Sequence, residues 1–247
     1  SDSPEVYVFG VENYSWVNFD PNITVLINDQ NLESVLVYVN DTLYYVTNCS
    51  EFDLNLELWD GLWIIRVEAR DKAGNESKAE LVLRVDRREP EVAIFSPVNG
   101  TTYGANITIE WSVGDENLAE YYVEVDGARY NVTLFNLTLE DGMHIAVFHA
   151  SDSAGNVVEE IVVFYVDASP PEITVGVAES VISNDSRIQL QINTTEIASI
   201  IVLIDSETIF EGVINCSMLF NVTLSDGEHN ITIIAIDEYG NKAGYEG

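Results

Sequence analysis

The chain has 247 residues and a formal net charge of −32 at pH 7, because 42 Asp and Glu stand against only 10 Lys and Arg. This charge argues against binding to nucleic acid or to an anionic membrane surface, since both are bound through Lys and Arg. Hydrophobic residues make up 47% of the chain, which disfavours disorder and suffices for buried cores. The sequence has no run of 18 apolar residues, so we expect no segment that spans a membrane.

In chain order, three repeats each begin with a Pro-Glu pair and an apolar-polar alternation, at 4–10, 90–97 and 171–178. Further short runs with the same alternation follow in each repeat. A period of two is typical of half-buried β-strands, and turns rich in Asp, Asn and Gly separate the runs. About seven short strands per repeat, without helical periodicity, predict an all-β fold of Greek-key β-sandwiches. The predicted domains are 1–87, 88–168 and 169–247.

The second half of each repeat carries a stricter pattern. It reads WDGLWIIRVEARDKAGN, EDGMHIAVFHASDSAGN and SDGEHNITIIAIDEYGN, at 59–75, 140–156 and 225–241. Its Asp, Gly, Ala and Asn recur at the same offsets in all three copies without an insertion, which indicates true repeats. This pattern resembles the immunoglobulin-like repeats of secreted and cell-surface proteins of bacteria and archaea. The resemblance covers nearly the whole chain and implies three tandem immunoglobulin-like domains, found in surface layers, filaments and adhesins alike.

The third repeat stops early after its turn. Repeats one and two continue with a long strand, at 78–86 and 157–167, whereas repeat three has only KAGYEG at 242–247. We therefore expect the third domain to lack its final strand and to expose a sheet edge. Either the natural chain continues, or a neighbouring subunit donates a strand. In the second case the N-terminal strand with Val6, Val8 and Gly10 would link copies head to tail into a homopolymer.

Three aspartates, Asp71, Asp152 and Asp237, occupy equivalent positions in the repeated turn. We interpret them as turn caps, with the following Gly and Asn tolerating positive φ. Calcium is the alternative ligand for such oxygen-rich loops, but each loop supplies few oxygens. Arg87 and Arg88 in the first linker also oppose a cation there. The prediction is therefore no cofactor, with calcium at the three aspartates as the weaker possibility.

The sequence contains no recognisable catalytic set. His144 and His229 share a repeat position that holds Trp63 in the first copy, so packing explains them better than metal binding. Trp59 and Trp63 flank the Asp-Gly hairpin and are expected to pack there rather than form a binding platform with Trp16. Adjacent carboxylates are inevitable among 42 acids. We expect no enzyme.

Two cysteines, Cys49 and Cys216, lie at near-equivalent positions within Asn-Cys-Ser. Neither has a partner in its own domain, and domains one and three are far apart in a rod. We expect buried free thiols, with an intermolecular disulfide as the alternative.

Asparagine gives the strongest functional indication. From 21 Asn and 32 Ser and Thr, chance predicts about three Asn-X-Ser/Thr acceptor sites, whereas 14 occur. In strands such as 135–141 the core phase falls on the residues between Asn and Thr, which places the acceptor on the solvent face. The opposing interpretation is that Asn and Thr merely form the polar half of each strand. The candidate N-glycosylation sites are Asn13, Asn22, Asn40, Asn48, Asn75, Asn99, Asn106, Asn131, Asn136, Asn184, Asn193, Asn215, Asn221 and Asn230.

Together these patterns predict a non-enzymatic glycoprotein of the cell surface of an archaeon or bacterium. Its partners would be N-linked glycans and further copies of itself, in an extracellular filament or a surface layer. An adhesin stalk, or the carbohydrate-binding accessory repeats of a secreted hydrolase, is the alternative. Self-repulsion at −32 would oppose assembly unless cations, low pH or an inserted strand compensate for it.

Overall fold

A computed structural model describes residues 2–177 and 187–247 of the chain. All regular elements in these two ranges are β-strands, which form five sheets. Within the same ranges no helix has the length and apolar character needed to cross a bilayer. The chain is a series of tandem immunoglobulin-like β-sandwiches, called modules 1, 2 and 3 below. The module bounds at 87 and 168 stay a prediction.

Module 1 is a sandwich of a three-stranded and a five-stranded sheet. The three-stranded sheet has the order β1-β3-β6 and the five-stranded sheet the order β2-β8-β7-β4-β5. Only the β2–β8 pair of these sheets is parallel. The strands are β1 (Glu5–Phe9), β2 (Ser15–Val17), β3 (Asn22–Asn28), β4 (Leu32–Val39), β5 (Thr42–Thr47), β6 (Glu51–Asn55), β7 (Gly61–Asp71) and β8 (Glu76–Val85).

Module 2 repeats this topology strand for strand. Its sheets have the orders β9-β11-β14 and β10-β16-β15-β12-β13, again with one parallel pair, β10–β16. The strands are β9 (Glu91–Ser96), β10 (Thr102–Tyr103), β11 (Asn106–Gly114), β12 (Leu118–Val125), β13 (Ala128–Tyr130), β14 (Leu134–Thr138), β15 (Gly142–Asp152) and β16 (Val157–Val166).

Module 3 builds its layers from two long strands, β18 and β19, which form one bent hairpin. The first half of β18 pairs with β17, its second half pairs with β20, and the register shifts between Asn193 and Ile197. The loop that separates the two corresponding strands in modules 1 and 2 is thus replaced by a bend within one strand. The strands are β17 (Ile173–Val177), β18 (Arg187–Ile204), β19 (Glu207–Thr223), β20 (Ile231–Ile236) and β21 (Lys242–Glu246).

The expected absence of a final strand in module 3 is wrong. Strand β21 follows the repeated turn and pairs with β20 over five residues, from Ile236↔Lys242 to Thr232↔Glu246. The burial of this short strand alternates along its length, and Tyr245 packs against the module 3 core. The proposed donor strand β1 is also in use, because Val6 and Val8 pair with Ile27 and Val25 of its own module. Strand donation through Val6, Val8 and Gly10 stays a prediction, and in the single chain β1 is paired within its own module.

Each module has its own apolar core, built from the inward phase of its strands. In β3 and β11 every second residue is buried, as the period of two predicts. The three cores centre on Ile65, Phe148 and Ile200, each fully buried. The sandwich faces and turns are therefore what the protein offers to solvent and to partners.

Candidate functional site

The repeated turn is built around one carboxylate in each module. In module 2, Asp152 Oδ1 accepts the backbone N–H groups of the residues two and four positions further on, at 2.9 and 2.8 Å. Asp71 and Asp237 make the same two bonds in modules 1 and 3. The Gly of each turn has positive φ, 93° at Gly155, whereas the following Asn does not. The turn-cap interpretation of the aspartates is confirmed, and that of the Asn as a positive-φ residue is wrong.

The Asn of the turn connects neighbouring modules. Asn156 Nδ2 donates to the backbone carbonyl of Asp86, in the linker before module 2, at 2.9 Å, and to Asp152 at 2.7 Å. Asn241 Nδ2 likewise donates to the carbonyl of Asp167, in the next linker, at 3.0 Å. The same residue type therefore fixes the linker at both junctions. Sequence reasoning missed this role, because the acceptor is a backbone group in another module.

Two further contacts tighten the junctions. The side chain of Asn117 donates to the Asp86 carboxylate at 2.8 Å, and both groups are buried. At the second junction Gly104 of module 2 packs against the carbonyl of Tyr239 in module 3. A Cβ atom at Gly104 would lie 2.9 Å from that oxygen, a distance that real Cβ atoms do not adopt. Each junction therefore has a side-chain or packing contact in addition to the hydrogen bond of the turn Asn.

Three carboxylates converge at each junction, one from the linker and two from the module that follows. One oxygen from each lies within 4.8 Å of the others. Such an all-oxygen set suits a hard cation such as Ca²⁺. Arg87 and Arg88 do not neutralise the first group, since both pair with Asp60 of module 1. The two groups are Asp86, Asp115 and Asp152, and Asp167, Glu196 and Asp237.

The carboxylates of the second group repel one another. Burial raises the pKa of Glu196, and the nearby charges of Asp167 and Asp237 raise it further. A bound cation would relieve this repulsion, and so would protonation. The residues therefore fit the calcium alternative for Asp152 and Asp237 better than the loops alone suggested.

His144 forms a charged pair. Its Nδ1 lies 2.6 Å from Asp126 Oδ2, and its Nε2 lies 2.8 Å from the carbonyl oxygen of Glu140. Both partners are acceptors, so the imidazole satisfies them together only when both nitrogens carry a proton. Burial lowers the pKa of His144, but the Asp126 carboxylate and the Glu140 carbonyl outweigh that effect and the pKa is raised. Both ring nitrogens are engaged, which favours packing over metal binding.

Module 3 repeats the pair and module 1 replaces both members. His229 Nδ1 lies 2.6 Å from Asp205 Oδ2, and the Asp205 carboxylate and the Ser225 carbonyl raise the pKa of His229. In module 1 the histidine position holds Trp63, and the aspartate position holds the neutral Asn40, which binds the hairpin backbone in the same way. Where the first position holds a histidine, the second holds an aspartate, and where the first holds a tryptophan, the second holds an asparagine. This covariation was the sequence signal for the pair.

The candidate glycan acceptors lie at the surface. Asn184 falls outside the described residues. Of the other candidates none is buried, and Asn75 and Asn193 are half-buried. Asn75 holds the turn position, where its Nδ2 donates to Asp71 Oδ2 at 2.8 Å, so its amide is already engaged. The exposed acceptors are Asn13, Asn22, Asn40, Asn48, Asn99, Asn106, Asn131, Asn136, Asn215, Asn221 and Asn230.

Two acceptor triplets face each other on module 2. Strands β11 and β14 place Asn106 opposite Thr138 and Thr108 opposite Asn136. Each Thr hydroxyl donates to the opposing Asn Oδ1, at 2.7 and 2.8 Å, which leaves both Asn nitrogens pointing away from these bonds. The intervening Ile107 is buried, so the predicted strand phase is confirmed. This sheet face can carry glycans without disturbing the core.

The three tryptophans of module 1 have different surroundings. Trp63 packs against the core and donates its indole N–H to the carbonyl of Trp59 at 2.7 Å. Trp16 is half-buried, with the guanidinium of Arg84 at 5.0 Å from its ring centroid. Trp59, in contrast, is 82% exposed. The predicted packing holds for Trp63 and is wrong for Trp59.

Both cysteines are exposed free thiols. Cys49 lies between β5 and β6, and Cys216 lies at the bend of β19 with a φ of 72°. These places are topologically equivalent, as the sequence indicated. The expectation of burial is wrong, because Cys49 lies in a surface connection and Cys216 lies at the exposed bend of β19.

No protein-family model matches the sequence, and no curated protein resembles it significantly. Solved structures of similar fold include a fragment of a 1.5-MDa bacterial ice-binding adhesin, with 17% identity, 99% of this chain and 95% of that chain covered, and a TM-score of 0.42. Sidekick-1 immunoglobulin domains 1–5 have 12% identity, with 99% of this chain and 58% of that chain covered and a TM-score of 0.49. The fibronectin(III)-like modules of Clostridium thermocellum CbhA have 16% identity, with 66% of this chain and 95% of that chain covered and a TM-score of 0.40. At these identities the likeness concerns the fold alone.

Proposed function

We propose that the protein is an extracellular, N-glycosylated structural component of the cell surface, without enzymatic activity. The observation that carries this proposal is the surface position of the candidate acceptors. None of those in the described ranges is buried, whereas Asn117 and Asn156, which lie outside acceptor triplets, are. A glycan requires an accessible side-chain amide, and strand faces supply it here without loss of packing.

The junctions support a mechanical role. At each junction a turn Asn binds the preceding linker, and three carboxylates meet beside it. Short linkers with such contacts give a semi-rigid spacer rather than freely jointed beads. A rod of this kind holds whatever lies beyond its ends at a fixed distance from the cell. This role fits an adhesin stalk as well as a filament or surface-layer subunit.

Association of copies is the finer part of the proposal. Strand β5 lies at the edge of its sheet, and five of its six residues are exposed. It carries no charge, and Leu43, Tyr44 and Val46 are each at least half exposed. Edge strands of this kind pair with other chains unless they are protected. Pairing of β5 with β5 of a second copy would bring no like charges together along the strand, and it requires that Asn40 and Asn48, which flank β5, carry no glycan.

Surface labelling of intact cells of the producing organism tests the location. An antibody against module 2 should stain unpermeabilised cells, and electron microscopy of released material should show rods, filaments or a lattice. Staining that appears only after lysis would refute the proposed location. A cytoplasmic protein of the same cells serves as the matched control for membrane integrity.

A further inference from the structure

Trp59 has the largest exposed fraction among the large hydrophobic side chains of the described ranges, 82%. It lies between β6 and β7, at the end of module 1 that faces the first linker. Modules 2 and 3 have Glu140 and Ser225 at this repeat position, so the indole belongs to module 1 alone. Leaving an indole in water forgoes the stabilisation that its burial would give.

The backbone under Trp59 is held in place by its neighbours. The N–H of Leu58 donates to Asp20 Oδ1 at 3.1 Å, and the carbonyl of Leu58 accepts from Arg87 Nη1 at 2.7 Å. The carbonyl of Trp59 accepts from the indole N–H of Trp63 at 2.7 Å. Leu58 itself is buried. The exposed indole is therefore presented by a fixed segment, which lowers the entropy lost on binding.

A groove of about 600 Å³ opens beside the indole, within the size range of small-ligand sites. Its walls combine the aromatic face with carboxylates and one guanidinium. Arg87 is held by Asp20 at 2.6 Å, which fixes both side chains. The groove is lined by Asp20, Glu57, Leu58, Trp59, Asp60 and Arg87.

The local charge distinguishes this groove from the rest of the surface. One of the ten Lys and Arg of the chain, Arg87, lines this groove, where it pairs with Asp20 and Asp60. The overall charge of −32 disfavours an anionic ligand, and the Arg87 guanidinium weakens the attraction of the groove for a polycation. What remains favoured is a neutral ligand with an apolar face and many hydroxyl groups.

We propose that this groove binds a neutral saccharide. One pyranose ring stacks its C–H face on the Trp59 indole, and its hydroxyl groups donate to the carboxylates of Asp20, Glu57 and Asp60. Asp20 and Asp60, which Arg87 holds beside the aromatic side chain, supply well-placed polar groups of the kind that orient a ligand in such sites. The proposal does not depend on glycosylation of this chain. It assigns one saccharide site per chain.

The test uses the full chain made in a host without N-glycosylation. The probes are neutral gluco-, manno- and chito-hexasaccharides, with oligolysine and heparin as charged comparisons, read by calorimetry. Trp59→Ala should weaken binding of the best hexasaccharide about tenfold or more, a loss of about 1.4 kcal/mol or more. Tyr14→Ala, which removes another exposed aromatic side chain of module 1, should leave binding unchanged.

Because the Trp59 side chain is exposed, Trp59→Ala should also keep the unfolding midpoint of the parent chain, which separates loss of the site from loss of the fold. The proposal is overturned if no hexasaccharide binds at millimolar concentration, or if oligolysine or heparin binds in preference. It is equally overturned if Trp59→Ala and Tyr14→Ala bind alike. A result that overturns the saccharide site would leave the proposed extracellular role intact, since that role is tested by cell labelling.

Discussion

Replacing Asn156 by Ala removes two hydrogen bonds of a buried amide, to the Asp86 carbonyl at 2.9 Å and to the Asp152 carboxylate at 2.7 Å. An unsatisfied buried acceptor costs about 1–3 kcal/mol. Asp152 keeps its two backbone N–H donors, and water can enter a site at a junction. The cost for each of the two acceptors, the Asp86 carbonyl and the Asp152 carboxylate, therefore lies in the lower part of that range. We therefore expect a loss of about 2 kcal/mol for module 2, or about 10 °C in its unfolding midpoint.

Scanning calorimetry measures this effect, with small-angle scattering to follow bending at the junction. The module 2 transition should move to lower temperature, and the scattering should show a more flexible rod. Asn55→Ala, which removes an exposed amide from β6, is the matched control and should change neither. An Asn156→Ala chain that unfolds within about 1 °C of the parent, with unchanged scattering, would refute the reasoning.

Three further changes test other parts of the structure. The pKa values of His144 and His229 are raised in the folded protein, so both residues stabilise the fold when they are protonated. This stabilisation is fully present below the pKa of the unfolded chain, about 6.5, and it is lost as the pH rises through the pKa of the folded protein. Changing both to Asn should therefore lower the unfolding midpoint at about pH 5.5 and much less at about pH 9; an equal loss at both would contradict the charged pair. Glu196→Gln removes a carboxylate with a raised pKa, so it should stabilise module 3 at neutral pH in a chelator; no gain would argue against repulsion in that group, and an equal gain in Ca²⁺ would argue against cation binding there. Leu43→Lys in β5 should reduce self-association in analytical ultracentrifugation, whereas the same change at the exposed Tyr14 should not.

The architecture follows from the sequence because its signals are local and repeated. Alternation fixed the phase of β3 and β11, and the common spacing of Asp152 and Asp237 identified the turn. The final strand β21 escaped prediction because it is only five residues long, with Ala243 and Tyr245 as its less exposed residues. This alternation is too short to stand out in the sequence, although Tyr245 packs against the module 3 core.

The candidate sites were less accessible from the sequence. The Asn156 side chain donates to a backbone carbonyl in the linker. Every residue has a backbone carbonyl, so the residue type gives no sign of this acceptor. The charged pair of His144 was hidden by the Trp in the first copy, although the parallel change from Asp126 to Asn40 was visible. Trp59 was expected to pack because it flanks the Asp-Gly hairpin. Its exposure depends on how Arg87 and Asp20 hold the loop beneath it.

Glycopeptide mapping of the protein purified from its producing organism tests the central claim most directly. We predict glycan-bearing peptides at exposed acceptors such as Asn106 and Asn136, and no glycan on Asn75, whose amide binds Asp71. Acceptor peptides that are bare throughout, or occupancy at Asn75 with bare Asn106 and Asn136, would contradict the claim.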